Sequence, residues 1–219
     1  MKEKYLDEPG LKVTIDEMIT TLTGHHYRHK PWKLHPEKTA LLVLDMQNYF
    51  LGPASHAFTP SAPAIIPNIL KLIEMARKFE MKIIFTKHVN DDENAGMMGR
   101  WWRDLIAEDS FESQVSETVG RYDFKIITKN QYDAFYNTDL EEYLRSKKIE
   151  QVIITGLMAN LCCETTARSA FVRGFEVFFP IDATAAYTME FHLSTFRNLG
   201  FGFCPILRTS ELINSLNET

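Results

Sequence analysis

The run Thr39-Ala40-Leu41-Leu42-Val43-Leu44 is apolar on both sides of the strand alternation. A strand built from it needs cover on both faces, which is the environment of a central strand in a parallel sheet. The same kind of run returns along the chain. Apolar, β-prone runs at 81–86, 124–128, 151–155, 175–179 and 203–207 read as further strands. Between them lie helical stretches. One has Ile65, Ile66, Ile69, Leu70, Ile73 and Met75 on its inner face, and others run at 138–147, 165–172, 190–199 and 210–216. This alternation predicts an α/β fold of three layers (α/β/α), with a six-stranded, mainly parallel, Rossmann-like sheet. Residues 1–37 read as an N-terminal arm with a short helix at 12–22, and 38–219 as the main domain. The 52–63 stretch is loop. The irregular segment 90–119 has the length of a lid or pocket wall.

Bulk properties narrow the function classes. The 219 residues suffice for a full core without staples. A net charge of −5 argues against nucleic acid or an anionic membrane as the main partner. No apolar run has the length of a membrane span. Three cysteines, two of them adjacent, do not suit a disulfide framework, so a reducing, cytoplasmic location is expected. His25, His26 and His29 lie close together, but nothing nearby supplies a spaced partner motif for a metal site.

In parallel sheets, ligands sit beyond the carboxyl ends of the strands. Three reactive side chains fall there: Asp45 after the first strand, Lys129 after the third and Cys162 after the fourth. Cys162 follows a turn, 156–161, that joins strand to helix. A thiol at a helix start feels its unpaired N–H groups and positive end, which lower its pKa and favour thiolate. Taken alone, a free cysteine also fits a small inert core residue, Asp45 a turn cap and Lys129 a solvated turn. Together they suit acyl transfer. Cys162 would attack an amide-like carbonyl, Asp45 would take and return the proton, and Lys129 would stabilise the thiolate. The N–H groups of Met158 and Cys162 are candidates for an oxyanion hole. Neither a dinucleotide fingerprint nor a P-loop follows any strand.

Several segments, in order and spanning about 38–213, resemble the isochorismatase-like cysteine hydrolase superfamily. They are Leu42-Val43-Leu44-Asp45-Met46-Gln47, then Ile127-Thr128-Lys129 with Ala134-Phe135 and Thr138-Asp139-Leu140. Next come Ile154-Thr155-Gly156-Leu157-Met158-Ala159-Asn160-Leu161-Cys162-Cys163 with Thr166-Ala167, and finally 177–183. The superfamily includes nicotinamidase, N-carbamoylsarcosine amidase and ureidoacrylate hydrolase. The resemblance implies an isochorismatase-like sheet and an Asp45–Lys129–Cys162 catalytic triad. It also implies a cis peptide at Leu157–Met158 that aims the Met158 N–H at the oxyanion. The implied reaction is hydrolysis of a small amide, carbamoyl or ureido C–N bond through a Cys162 thioester. The alternatives are a vinyl-ether hydrolase with Asp45 as acid, and a non-catalytic member. True isochorismatases lack cysteine at the position of Cys162, which favours acyl transfer. Nicotinamidases carry an Asp-x-His metal motif where this chain has Thr86-Lys87-His88, so no metal and no cofactor is expected.

The substrate pocket is expected among Tyr49, Phe50, His88, Trp101, Trp102 and Tyr132, aromatic walls that suit a small planar substrate. A homo-oligomer, dimer or tetramer, is the expected assembly. If the strand order is 3-2-1-4-5-6, strands 3 and 1 lie ~10 Å apart. The loop after strand 3 must then curl inward to bring Lys129 to Asp45.

Overall fold

The structure, a computed structural model, describes residues 1–23, 32–120 and 124–217. The strands are β1 (Thr39–Leu44), β2 (Lys82–His88), β3 (Lys125–Lys129), β4 (Gln151–Leu157), β5 (Glu176–Pro180), β6 (Thr184–Ala185) and β7 (Ile206–Leu207). The helices are α1 (Leu11–Thr23), α2 (Asn48–Leu51), α3 (Ala62–Lys78), α4 (Met98–Trp101), α5 (Leu140–Ser146), α6 (Glu164–Val172), α7 (Met189–Gly202) and α8 (Thr209–Asn217).

The sheet runs β3-β2-β1-β4-β5-β7, and every pairing is parallel. The apolar runs at 39–44 and 151–155 form its centre, β1 and β4, and every residue in both strands is buried. Crossovers leave this centre in opposite directions, and the right-handed rule for parallel connections then puts helices on both faces. On one face α3 packs across β1, β2, β4 and β6 and meets α8; α6 packs on β5 and against α7. Among the described residues the strand count is seven. The extra strand β6 continues the line of β5 along β4, after a helical turn at Ile181–Ala183. Pro180 supplies no N–H there, and Asp182 is drawn aside to accept from Asn68 Nδ2 (3.0 Å) and the Thr209 N–H (2.8 Å).

The described residues of 1–37 pack into the same hydrophobic core as the sheet. Leu6, Ile15, Met18 and Leu22 are buried, with α1 against α7 and the 181–183 turn. His25, His26 and His29 fall outside the described residues. The 90–119 segment folds back over the carboxyl edge of the sheet. Ser116 N–H donates to Met46 O (2.8 Å), and the Asn48 and Tyr49 N–H groups donate to Gln114 O and Glu112 O (both 2.9 Å). Among the described residues no helix is long and apolar enough to cross a membrane.

Two backbone features shape the edge where the reactive residues meet. Gly156 has φ +105°, and a Cβ there would sit 2.1 Å from Leu44 O, so β4 approaches β1 more closely than any side chain permits. Asp45 has φ 51°, a left-handed conformation in which Asp is one of the tolerated residues.

Candidate active site

β1 is extended up to Leu44, and the left-handed turn at Asp45 then swings the carboxylate across the sheet edge. Thr86, near the end of β2, fixes it: Thr86 Oγ1 donates to Asp45 Oδ1 (2.5 Å) and accepts from the Asp45 N–H (3.1 Å). Gln47 clips the adjoining turn by donating to His88 O and Ser113 O (2.9 Å each) and accepting from the His88 N–H (2.8 Å). Lys129 is the last residue of β3, in register with His88 of β2. Ile127 and Lys129 are buried on one face of β3 while Ile126 and Thr128 are not. The lysine side chain therefore runs over β2 to β1 by its own length. No inward curl of the following loop is needed.

Lys129 Nζ lies 2.7 Å from Asp45 Oδ2, 3.3 Å from Cys162 Sγ, 3.3 Å from His88 Nδ1 and 3.0 Å from Gln131 O. Cys162 stands in the single π-helical turn Ala159–Cys163 that links β4 to α6. Met158 opens that turn, and its carbonyl accepts the Leu161 and Cys163 N–H groups (3.0 and 3.2 Å) on either side of Cys162. The Leu157–Met158 peptide is cis. The three side chains expected to meet are thus within touching distance, all buried.

Their charges are interlocked. Burial is the largest single influence and opposes the Asp45 charge, but the Lys129 ammonium, His88 and the hydrogen bonds from Cys162 and Lys129 together outweigh it and hold the carboxyl below its usual range. Burial likewise opposes the Lys129 charge, while Asp45 and Cys162 hold its pKa above the usual value. For Cys162 the direction is opposite to the sequence expectation. Burial pushes the thiol up to about 12; Lys129 pulls it down and Asp45 pushes it further up. The helix-start effect is overridden because one anion already faces the ammonium, and a second is costly in so dry a site. The resting cluster is therefore carboxylate, ammonium and thiol.

Asp45, His88 and Cys162 each direct a donor atom into one space, within 4.8 Å of one another, a set that would suit a divalent ion. The Lys129 ammonium fills that space and faces all three donors. A metal does not fit beside it. Burial, reinforced by Lys129, lowers the His88 pKa to about 4, so the ring is neutral. Its Nδ1 then accepts from Lys129, and its Nε2–H donates to Asn90 Oδ1 (2.6 Å).

Above the cluster opens a cavity of about 300 Å³, lined by Tyr49, Phe50, His88, Trp102, Tyr132, Met158 and Cys162 among others. Trp102 Nε1 donates to the Tyr132 hydroxyl (2.6 Å). Trp101 does not belong to this wall. It ends α4 and is 75% exposed, while the extended backbone at Trp102 turns the next indole inward. The cavity also takes in residues that sequence reasoning missed: Lys2, His56, Asn90, Asp104 and Tyr187. Thr86 and Gln47 stand at strand ends, where the same rule that found Asp45 applies. Lys2 and Tyr187 carry no local signal, since only tertiary packing brings them here.

The pattern of the isochorismatase domain matches residues 39–211. Nicotinamidase 3 of Arabidopsis thaliana is 38% identical over 182 residues, 81% of this chain and 88% of its own length. Isochorismatase of Bacillus subtilis (strain 168) is 32% identical over 167 residues, 74% of this chain and 52% of its own length. A crystal structure of a cysteine hydrolase from Pseudomonas syringae pv. phaseolicola superposes with a TM-score of 0.85 at 26% identity, covering 89% of this chain and 99% of that one. With the domain pattern running from β1 into α8, the chain belongs to the isochorismatase-like hydrolase superfamily.

Proposed function

We propose that the protein is a cysteine hydrolase cleaving a small amide, carbamoyl or ureido C–N bond through a thioester on Cys162. One observation carries the reading: a single buried ammonium, that of Lys129, touches both Asp45 Oδ2 (2.7 Å) and Cys162 Sγ (3.3 Å) at the floor of an aromatic cavity. Asp45 takes the thiol proton as sulfur attacks the carbonyl. The cluster's net charge is the same before and after, so the transfer avoids the cost of a second buried anion. Lys129 shifts its strongest attraction from oxygen to sulfur. The carbonyl oxygen, becoming an oxyanion, is received by the N–H groups of Met158 and Cys162. The intermediate collapses, the C–N bond breaks, and the departing amine takes the proton from Asp45. Water then attacks the thioester with Asp45 again as base, releasing acid and restoring the thiol.

Tyr49, Phe50, His88, Trp102 and Tyr132 form the walls against which a planar substrate lies. Similarity to a nicotinamidase supports the amide class, and burial of all three free cysteines is compatible with a reducing, cytoplasmic setting. A dimer or tetramer is part of the same proposal, tested by light scattering at micromolar concentration. The reaction is tested by screening small amides and ureides for ammonia release, with Cys162→Ala as control. Turnover that Cys162→Ala abolishes supports the reading. Cleavage of vinyl ethers that survives Cys162→Ala overturns it in favour of acid catalysis by Asp45.

A further inference from the structure

Residues 2–6 lie between two segments of the cavity mouth and are hydrogen-bonded to both. On one side the Glu3 N–H donates to Tyr187 O (2.8 Å) and Glu3 Oε2 accepts from the Met189 N–H (3.2 Å). Tyr5 OH accepts from the Ala186 N–H (2.9 Å) and meets His192 Nδ1 (3.0 Å). On the other side the Leu6 N–H donates to Ser61 Oγ (3.1 Å), which donates in turn to Glu3 O (3.2 Å). Leu6 is fully buried and anchors the strap. These bonds carry Lys2 to the cavity. Its ammonium donates to His56 O (2.5 Å) and Phe58 O (2.8 Å) and lies 4.2 Å from the centre of the Tyr187 ring. Lys2, His56, Ala57 and Tyr187 all line the cavity.

The charges around the cavity leave this ammonium uncompensated. At the floor, Lys129 and Asp45 cancel. At the rim, Asp104 pairs with Arg103 (3.5 Å), which also lines the cavity, and lies 3.3 Å from His56 Nδ1. The Glu3 carboxylate is turned to the Met189 N–H. Among the described residues no ion pair involves Lys2, whose partners are two backbone carbonyls and a ring face. Neutral acceptors orient the ammonium without neutralising it, and although Lys2 is exposed on its outer side, it presents a solvent-screened positive charge to what occupies the cavity.

We propose that Lys2 is a specificity-determining residue, selecting amides whose group remote from the scissile carbonyl is an anion such as a carboxylate. The inference rests on the cysteine-hydrolase reading above. It assigns the two ends of the cavity separate tasks, bond cleavage at Cys162 and charge recognition at Lys2.

The test uses alkylation, which needs no known substrate. The probes are N-bromoacetylglycine, anionic at its far end, and N-bromoacetylglycinamide, neutral and of nearly the same size. In both, a C–S bond to Cys162 forms as the C–Br bond breaks, bromide leaves, and the thiol proton passes to Asp45 and then to water. The readout is the anionic-to-neutral rate ratio at Cys162 by peptide mass spectrometry, normalised to the ratio for free 2-mercaptoethanol. The expected ratio is above one in the wild type, falls about fivefold in Lys2→Met, is restored in Lys2→Arg, and declines with added salt. Equal ratios in wild type and Lys2→Met, with Cys162 labelled in both, overturn the role of Lys2 and leave the nucleophile standing. Failure of both probes to label wild-type Cys162 overturns the nucleophile reading and the selection together.

Discussion

Lys129 Nζ and Asp45 Oδ2 are 2.7 Å apart, and neither side chain is exposed to solvent. Two residues far apart in the chain, one just past β1 and one at the end of β3 with β2 between them, thus share one dry ion pair. Removing one partner leaves a buried charge without its counter-ion. Asp45→Asn is expected to lower stability by ~3–5 kcal/mol and to abolish turnover. Cys162→Ala, which leaves the pair intact, is expected to abolish turnover at nearly unchanged stability. Chemical denaturation of the two variants separates these outcomes, and equal stabilities would contradict the assigned charges.

Acid should weaken the fold from near neutrality downward. Burial lowers His192 to about 3, and burial with Lys129 lowers His88 to about 4, against an ordinary 6.5. Below pH 6.5 the unfolded chain therefore takes up protons that the folded one refuses, and stability falls with pH until the folded values are passed. Asp45, also held low, adds a loss of the same sign below its ordinary 3.8. Melting temperature should be highest near pH 7, decline towards pH 4, and decline again above about pH 9, where the unfolded chain loses protons that the buried Cys162 and Lys129 keep. His192→Asn, which removes one of the buried rings, should decline less steeply. An unchanged slope would contradict the neutral buried histidine.

Adjacent tryptophans should behave differently. Trp102 lines the cavity and bonds to Tyr132, whereas Trp101 is 75% exposed. Trp102→Ala is expected to raise KM about tenfold, equivalent to ~1.4 kcal/mol of lost contact. Trp101→Ala should leave KM unchanged. Steady-state kinetics on one amide substrate decides between them.

Gly156→Ala should prevent folding rather than alter kinetics. Its Cβ would sit 2.1 Å from Leu44 O at a φ of +105°, so backbone must move in the two central strands. A loss above about 4 kcal/mol is expected, read as lost soluble yield. A well-folded alanine variant would show that β1 and β4 are not so closely apposed.

Much of this was legible in the residues. β1 and β4 are legible because buried parallel strands carry apolar, β-prone runs, and Asp45 and Cys162 follow from the strand-end rule. Lys129 was legible as a candidate, but its route was not. Only the β2–β3 register, with His88 opposite Lys129, reveals that the side chain crosses a whole strand. The short β6 has no signature in the sequence because Thr184-Ala185 is too brief to carry a period. The Cys162 thiol departs from the helix-start expectation because that feature is local, whereas burial and a neighbouring carboxylate are tertiary. Trp101 and Trp102 are indistinguishable in composition, and one extended residue after α4 separates them.

The most direct measurement is rapid acid quench of the enzyme turning over an amide, followed by peptide mass spectrometry. The expected result is an acyl group of the substrate's mass on Cys162 in the wild type, and none in Asp45→Asn. Steady turnover by Cys162→Ala, or an acyl group found on another residue, would contradict the central role of this sulfur.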